Sequence, residues 1–455
     1  MPRTNGRRVK RAEPLGSLRL LSLLLLTAAI TACASKGPRT ITLMPVPAVF
    51  ENGAINPLPE SKPPLFHQDF GLLYATDRKP SDDLDKRPFY LNENGFIVRL
   101  GRARIKAGEG IDWEKARQLS LSTDRPGDYP LKVVSVTETG VLKSTYTFLT
   151  PEAAAPATSH ETGEDFAALV DERLAVSGVK DLYIYVHGYR VVFDDPVLIS
   201  AELWHFLGYR GAFIAYAWPS TPRALAYMSD VENATAMARK LRLFLTFLAD
   251  KTQVENIHII GYSAGSRLVV GALEQLALLH AEATEEEIRQ NVRIGSVIIV
   301  GGDISREGFD VALTDGMLRI PKRIVVYVSS ADRALKWSRR IFRRERLGEL
   351  WDEELPPRTK GFLHANPSLE FIDVTGAAGA TSGNGHSYFR GSPWVSSDLL
   401  TVLAFDFDPA RRGLEKDGDM LVWTFPPNYI ERLRKTLLEI NPDLAEPMEA
   451  RMGRP

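Results

Sequence analysis

Hydrophobic residues in the C-terminal two thirds of the chain come in short unbroken runs separated by helix-length segments. Apolar runs of five to seven residues, rich in β-branched side chains, recur in DLYIYVHGY, GAFIAYAWPS, NIHIIGYS, GSVIIVGGD, RIVVYVSSAD and LEFIDVTG. Strands without polar alternation are buried on both faces, and helices between them imply parallel pairing. The pattern predicts an α/β core over residues 165–405, in which a mostly parallel sheet is covered by helices on both faces.

Two long segments beside the third of these runs have helical periodicity. RALAYMSDVENATAMARKLRLFLTFLADK precedes that run, and AGSRLVVGALEQLALLHAEA follows it. Apolar residues at every third or fourth position are typical of helices that pack on a sheet. A C-terminal extension over residues 406–455 is predicted to add a strand or loop and one more helix.

Residues 70–150 have a different pattern and predict a β-rich N-terminal layer. FGLLYATDRKP, FIVRLGRARIKAG, LKVVSVTETG and STYTFLT read as short strands, and DWEKARQLS reads as a short helix. A linker rich in Pro, Ala and Thr, TPEAAAPATSHETGED, follows this layer. Frequent prolines between residues 34 and 69 predict an extended tether with little core of its own.

The first 33 residues resemble a bacterial lipoprotein signal peptide. Basic residues precede an apolar run of about a dozen residues, which is short for a membrane span, and small residues follow. The segment ends in Ile30-Thr31-Ala32-Cys33, similar to a lipobox, and a single cysteine in the chain forms no internal disulfide. We therefore expect lipidation of Cys33 and a location in the bacterial cell envelope, on a periplasm-facing or outer membrane. A plain signal peptide with a chance cysteine is the alternative.

Composition and the missing motifs exclude several classes of function. Lys and Arg total 56 against 57 Asp and Glu, so the net charge is −1 and nucleic acid is not an expected partner. The sequence has no P-loop, no G-x-G-x-x-G after a first strand, no H-E-x-x-H and no cysteine cluster. We therefore expect neither a cofactor nor a metal ion.

The strongest chemical signal is Gly261-Tyr262-Ser263-Ala264-Gly265, which fits G-x-S-x-G. The motif follows a predicted strand and opens a predicted helix. Small residues on both sides of the serine permit the tight turn that exposes a nucleophilic hydroxyl at a helix N-terminus. We expect Ser263 to be a nucleophile, and an ordinary turn serine is the alternative.

A serine hydroxyl needs a general base, and elimination among the eight histidines favours His386. The other seven lie in the tether, the linker, predicted helices or strands, or before the last predicted strand. His386 lies in the glycine-rich loop GAAGATSGNGHSYFRGS after that strand, from which an imidazole can reach back over a nucleophile. A solvent-exposed loop histidine is the alternative interpretation.

Two aspartates follow predicted strands ahead of His386 and are candidates for the acid that orients the imidazole. Asp303 ends the run GSVIIVGGD, and Asp332 ends RIVVYVSSAD. Either choice gives the chain order Ser, Asp, His that alpha/beta-hydrolases have. We favour Asp332, because the acid commonly comes from the later strand, and we keep Asp303 as the alternative.

An oxyanion hole needs two backbone N–H donors, one after the nucleophile and one from the loop after an earlier strand. Ala264 supplies the first. The loop HGYR after DLYIYV supplies the second: Gly188 permits a close backbone approach, and Tyr189 is the expected donor. We expect His187 to brace this loop through hydrogen bonds.

Together these stretches resemble a family of largely uncharacterised bacterial alpha/beta-hydrolase proteins described as esterase/lipase-like. The matching stretches, in order over residues 70–400, are LLYATDR, YVHGYR, AYAWPS, IIGYSAGSR, VGGDIS, VYVSSADRAL and GHSYF. The resemblance implies an alpha/beta-hydrolase fold with Ser263 as nucleophile, Asp332 as acid and His386 as base. VGGDIS departs from the family pattern, in which a more Ala-Pro-like run precedes the aspartate.

These observations lead us to expect a serine hydrolase that cleaves an acyl ester or thioester through an acyl-enzyme. Its expected partners are a small acyl-ester substrate and, through the lipid anchor, a membrane. Peptidase and acyltransferase chemistry use the same groups. A hypothesis from another class is a catalytically silent envelope lipoprotein that uses the hydrolase fold as a binding or structural scaffold.

Overall fold

The computed structural model describes residues 39–63, 71–127, 129–154, 163–221, 227–351, 354–417 and 421–444. All of them belong to one compact unit, Arg39–Pro455. Because both hydrophobic cores described below lie inside this unit, it has what a domain needs to fold without residues 1–38. The predicted signal peptide, including Cys33, lies outside the described residues.

A single sheet runs through the described part of the chain. Its twelve strands are β1 (Thr40–Thr42), β2 (Leu72–Pro80), β3 (Tyr90–Ala107), β4 (Pro130–Leu142), β5 (Asp181–Val186), β6 (Ala212–Ala217), β7 (Asn256–Tyr262), β8 (Ile294–Val300), β9 (Arg323–Val328), β10 (Leu369–Asp373), β11 (Glu415–Asp417) and β12 (Val422–Thr424). Their order across the sheet is β1-β4-β3-β2-β6-β5-β7-β8-β9-β10-β12-β11. From β2 to β12 in this order, each strand is parallel to its neighbours. The antiparallel pairs are β1–β4, β4–β3 and β3–β2 at one edge and β12–β11 at the other.

Helices connect the parallel strands and flank the sheet. In the described residues they are α1 (Trp113–Leu121), α2 (Glu164–Ser177), α3 (Asp194–Phe206), α4 (Tyr227–Lys251), α5 (Gly265–Leu279), α6 (Glu285–Val292), α7 (Arg306–Thr314), α8 (Arg333–Phe342), α9 (Pro357–Ala365), α10 (Tyr388–Gly391), α11 (Pro393–Ala404) and α12 (Tyr429–Ile440). The predicted helices on either side of the third run are α4 and α5. The C-terminal extension adds β11, β12 and α12, as its pattern predicts.

The central strands are buried on both faces, which explains their unbroken apolar runs. Along β5, Leu182 and Ile184 belong to one hydrophobic cluster, whereas Tyr183 and Tyr185 belong to the other. The same alternation occurs along β8, and all of these side chains are almost completely buried. A parallel sheet covered on both faces accounts for this pattern. The predicted fold class is confirmed.

The predicted N-terminal strands continue the main sheet. β2 pairs in parallel with β6, while β3 and β4 extend the edge as an antiparallel pair. The predicted strand STYTFLT is wrong: Lys143–Thr145 form a short 3-10 turn, and Phe148 and Leu149 after it are exposed. Two solvated apolar residues leave this stretch without the buried face that a strand needs.

Residues 39–63 pack on the domain, and this corrects the prediction of an extended tether for that stretch. β1 pairs with β4, and the helical turns over Ala48–Gly53 carry buried Val49 and Phe50. The buried carboxylate of Glu202 on α3 accepts a hydrogen bond of 2.5 Å from Met44 N. Proline and apolar side chains here line a core that the local sequence pattern does not reveal.

Helix α5 approaches the end of β5 so closely that only glycine fits at its first position. A Cβ atom on Gly265 would lie 2.4 Å from the carbonyl oxygens of both Val186 and His187. Backbone atoms cannot move aside as a flexible side chain can, so α5 would have to shift.

We expect Gly265→Ala to lower the free energy of unfolding by at least about 2 kcal/mol, because the added methyl group collides with backbone. Gly361→Ala in α9 is the matched control, since a Cβ atom there meets nothing within 4 Å. That variant should be neutral or more stable by up to about 1 kcal/mol, from the better helix propensity of alanine. Denaturant unfolding of both variants checks this. Equal stability of the two would contradict the close approach.

Candidate active site

The loop between β7 and α5 holds Ser263 in a strained backbone conformation. Its φ is 52°, in the left-handed region that costs a non-glycine residue about 1–2 kcal/mol. The Ser263 N–H donates to Val300 O at the end of β8 over 2.9 Å, and Asp303 N–H donates to Ser263 O over 3.1 Å. The turn is therefore held from both sides by the chain that leaves β8. A strained serine between strand and helix is the backbone geometry of a nucleophile elbow.

The loop after β5 contacts the turn that carries Ser263, and the contact is made at Gly188. A Cβ atom on Gly188 would lie 2.8 Å from Ser263 Cβ and 3.3 Å from Ser263 Oγ. No larger side chain fits between this loop and the serine. The sequence-predicted neighbours Ser263 and Gly188 are thus brought together.

His386 and Asp332 form a buried hydrogen-bonded pair. His386 Nδ1 lies 2.6 Å from Asp332 Oδ2, and Asp332 is completely buried. The other carboxylate oxygen, Oδ1, accepts from Ala334 N and Leu335 N, both at 3.0 Å, and so caps the N-terminus of α8. Because both carboxylate oxygens are held, the aspartate fixes the orientation of the imidazole ring.

The pairing also determines which nitrogen of His386 carries the proton. A carboxylate oxygen accepts hydrogen bonds, so Nδ1 is the donor and Nε2 keeps its lone pair. Nε2 is buried and has no hydrogen-bond partner in the described part of the chain. A neutral imidazole with a free Nε2 is the form that takes a proton from a hydroxyl.

Gly301 lies against the His386 ring and directly follows Val300, whose carbonyl oxygen accepts from Ser263 N–H. A Cβ atom on Gly301 would lie 3.0 Å from His386 Cε1, and Gly301 has a φ of 54°. Its N–H donates to Tyr388 Oη over 2.7 Å, and that hydroxyl donates to Tyr327 O over 3.1 Å. Because Gly301 follows Val300, which binds Ser263, the end of β8 contacts both the serine and the imidazole.

Asp303, the alternative acid, lies in a different cluster. Ser338 Oγ donates to Asp303 Oδ1 over 2.5 Å, Arg346 Nε lies 3.5 Å from the same oxygen, and Arg267 Nη2 lies 3.6 Å from Oδ2. The Asp303 carboxylate is therefore bound to α8 through Ser338 and lies close to two arginine side chains. The structure brings Asp332, and not Asp303, to His386.

The two predicted oxyanion donors lie in segments that meet at the serine: Ala264 directly follows Ser263, and Tyr189 directly follows Gly188, which contacts Ser263. Ala264 is fully buried before the first turn of α5, where backbone N–H groups lack intrahelical acceptors. Gly188 and Tyr189 follow His187, whose ring stacks on Trp218 with centroids 5.1 Å apart. Trp218 Nε1 donates to His187 O over 2.6 Å, so this loop is held at its base.

His187 itself braces the loop as a neutral ring. Its Nδ1 lies 2.6 Å from Gly188 O, and its Nε2 lies 3.1 Å from Trp218 O. Burial lowers the pKa of His187 well below its usual value, so one nitrogen donates and the other does not. This environment leaves no role for His187 as the base.

Sequence reasoning missed the aromatic residues around the histidine. The Tyr262 ring centroid lies 5.1 Å from that of His386, and Tyr262 Oη lies 3.1 Å from Ser387 Oγ. Tyr262 occupies the variable second position of G-x-S-x-G, and Tyr388 follows the histidine by two residues. A tyrosine at either position belongs to no recognisable sequence motif, so its contacts with the histidine are seen only in the folded structure.

Access to the serine is narrow. Ser263 is 3% exposed and His386 is 6% exposed. A cavity of about 840 Å³ lies between the N-terminal layer and α3, away from both residues. A second cavity of about 750 Å³ is lined in part by Ser387, which directly follows the histidine, and by Arg390, which follows it by four residues.

In the described ranges, no group of three or more His, Cys, Asp or Glu side chains is arranged to hold a metal ion. None of the described helices is both long enough and apolar enough to cross a membrane.

We expect the His386 Nδ1 proton to give a strongly deshielded NMR resonance, because it lies in a short, buried, charge-assisted hydrogen bond. Asp332→Asn should remove that resonance while keeping an oxygen that caps α8. Asp303→Asn is the matched control and should preserve it. Loss of the signal in the Asp303 variant alone would reverse the assignment of the two aspartates.

Comparisons with known proteins agree with this architecture. Residues 163–402, just over half of the chain, match the family described as alpha/beta hydrolase of unknown function (DUF900). An uncharacterized protein of Nostoc sp., alr1448, is 34% identical over 84 residues, which are 18% of this chain and 22% of that relative. The chain therefore matches about a fifth of that relative's length. No solved structure matches the chain. By the extent of the family match, the chain belongs to this family of alpha/beta hydrolases.

Proposed function

We propose that the protein is a serine hydrolase that cleaves an acyl ester or thioester, with Ser263 as nucleophile, His386 as general base and Asp332 as the acid. The observation that carries the proposal is the 2.6 Å hydrogen bond between His386 Nδ1 and the buried Asp332 Oδ2, beside a serine with a φ of 52°. A purely structural His–Asp pair gives no reason to strain a neighbouring serine. An acyl-transfer site gives that reason.

The proposed reaction has two halves. Ser263 Oγ attacks the carbonyl carbon while His386 Nε2 takes the hydroxyl proton. The bond to the leaving alcohol or thiol then breaks as His386 returns that proton to the leaving group. Water attacks the acyl-enzyme, gives a proton to His386, and releases the carboxylic acid as Ser263 regains its hydroxyl proton. Asp332 stabilises the charged imidazole in both halves.

The N–H groups of Ala264 and Tyr189 would stabilise the negative oxygen of each tetrahedral intermediate. Contact between Gly188 and Ser263 supports this assignment, since it puts the loop that carries Tyr189 beside the reacting hydroxyl. Preorganised donors of this kind contribute several kcal/mol to acyl transfer.

The cavity lined by Ser387 and Arg390 is our proposed location for part of the substrate. It adjoins the residue after the base, and its walls also include residues 42–46 and 122–125. The N-terminal segment would then help shape the substrate site. Because Ser263 is only 3% exposed, substrate entry requires side chains around it to move.

A silent scaffold is the second candidate function, and the low exposure of Ser263 and His386 is the observation that favours it. A scaffold has no use for an imidazole held by a buried carboxylate beside a strained serine. Only the hydrolase turns over acyl esters, so an activity assay distinguishes the two functions.

We expect Ser263→Ala to lower kcat/KM for p-nitrophenyl acyl esters by at least about 10³-fold, because it removes the attacking oxygen. His386→Ala should have an effect of similar size. Ser81→Ala and His364→Ala are the matched controls: Ser81 Oγ donates to Asp83 O outside the site, and His364 is exposed on α9. Both controls should retain wild-type activity.

Turnover by Ser263→Ala at the wild-type rate would remove the serine from the mechanism. A folded wild type that hydrolyses neither oxygen esters nor thioesters would favour the scaffold.

We also propose that Cys33 carries a lipid that anchors the protein to a membrane of the bacterial cell envelope. The support is the sequence Ile30-Thr31-Ala32-Cys33 after an apolar run. We expect Cys33→Ser to abolish incorporation of labelled palmitate in a bacterial host and to release the protein from the membrane fraction. Unchanged labelling of that variant would contradict the anchor.

A further inference from the structure

Helix α8 and the two residues after it are unusually basic. The sequence over residues 333–344 is RALKWSRRIFRR, which contains six cations and no carboxylate. Cations in the last turn of a helix stabilise its C-terminus, but Arg333 and Lys336 lie in the first turn, where the helix dipole disfavours positive charge. Helix stability therefore does not account for all of this charge.

The inner face of α8 is fixed to the domain. Leu335 is buried, and Ser338 Oγ donates to the buried Asp303 over 2.5 Å. The Arg346 guanidinium lies 4.4 Å from the centroid of the Phe342 ring. These contacts set the rotation of the helix, so its opposite face points to solvent.

That outer face combines apolar and positive side chains. Trp337 is 44% exposed and Ile341 is 40% exposed, and at a spacing of four residues they lie on the same side of the helix. Exposed Arg333, Lys336 and Arg340 lie beside them. We call the face formed by these five residues the basic face.

Most of the six cations over residues 333–344 form no ion pair with a carboxylate in the described part of the chain. Arg339 reaches Glu349 at 3.6 Å, and Arg344 reaches Glu307 at 3.2 Å. Within the described ranges no ion pair is formed by the remaining four cations, which are Arg333, Lys336, Arg340 and Arg343. The positive charge of this helix is therefore available to an external partner.

We propose that the basic face binds the surface of a bilayer containing anionic phospholipid. Lys and Arg are attracted to the phosphate groups, while Trp337 and Ile341 insert at the level of the headgroups, where tryptophan is preferred. Charge complementarity alone would also suit a rigid polyanion such as duplex DNA. Duplex DNA, however, offers no apolar layer for Trp337 and Ile341, and the net charge of the whole chain is −1.

The position of α8 gives this surface a consequence for the proposed enzyme. The helix begins directly after Asp332, at the carboxyl end of β9 where His386 is held. A bilayer bound to α8 would therefore lie close to the carboxyl ends of the strands, where the candidate site lies. Binding itself does not depend on hydrolysis and is measured without a substrate.

The test is co-sedimentation of the unit Arg39–Pro455 with phosphatidylcholine vesicles that contain or lack phosphatidylglycerol. Wild type should bind the anionic vesicles at least about tenfold more tightly than the neutral ones, and added salt should weaken this binding. Lys336→Gln/Arg340→Gln should weaken it by about ten- to thirtyfold. Trp337→Ala/Ile341→Ala should weaken it by at least about fivefold.

Matched controls change the same residue classes elsewhere on the surface. They are Lys251→Gln/Arg358→Gln and Leu278→Ala/Leu279→Ala, whose side chains are exposed on other helices. Both should bind as wild type does, and cooperative thermal unfolding should show that every variant remains folded.

Several results would overturn the proposal. These are equal binding to neutral and anionic vesicles, wild-type binding by both α8 variants, or equal losses in the control variants. Binding to duplex DNA that depends on the two cations but not on Trp337 and Ile341, without vesicle binding, would identify a polyanion site instead.

Discussion

The candidate site depends on one backbone hydrogen bond, from Ser263 N–H to Val300 O over 2.9 Å. This bond fixes the strained turn after β7 to the end of β8. The next residue, Gly301, approaches the His386 ring so closely that a Cβ atom would lie 3.0 Å from Cε1. One strand end therefore sets the positions of both the serine and the imidazole, and Asp332 from the following strand sets the orientation of that imidazole.

The surrounding sheet stabilises this strained arrangement. Strands β5, β7, β8 and β9 are buried on both faces, so local strain of about 1–2 kcal/mol is small beside the burial of their apolar side chains. The N-terminal segment adds a further constraint. Buried Glu202 accepts from Met44 N and pairs with Arg390, which follows His386 by four residues. The same carboxylate thus links residues 39–63 to the chain that carries the histidine.

Much of the fold follows from the sequence because its central strands are unbroken apolar runs and its serine motif lies between strand and helix. Other features need the tertiary structure. Asp303 and Asp332 both end strands, and only the fold reveals that Asp303 contacts Ser338 whereas Asp332 contacts His386. Residues 39–63 have the proline content of a tether, yet they pack because distant strands and helices supply the partners. The spacing of residues also gives no indication that Gly301 lies against the imidazole.

The central claim is that Ser263 is an activated nucleophile, and a covalent probe tests it most directly. Wild-type protein would be treated with a fluorophosphonate, and the labelled peptide would be identified by mass spectrometry. We predict a single adduct on Ser263 that is lost in His386→Ala and retained in His364→Ala, since His386, unlike His364, is held by a buried carboxylate. Labelling of another serine, or no labelling of the folded protein, would contradict the account.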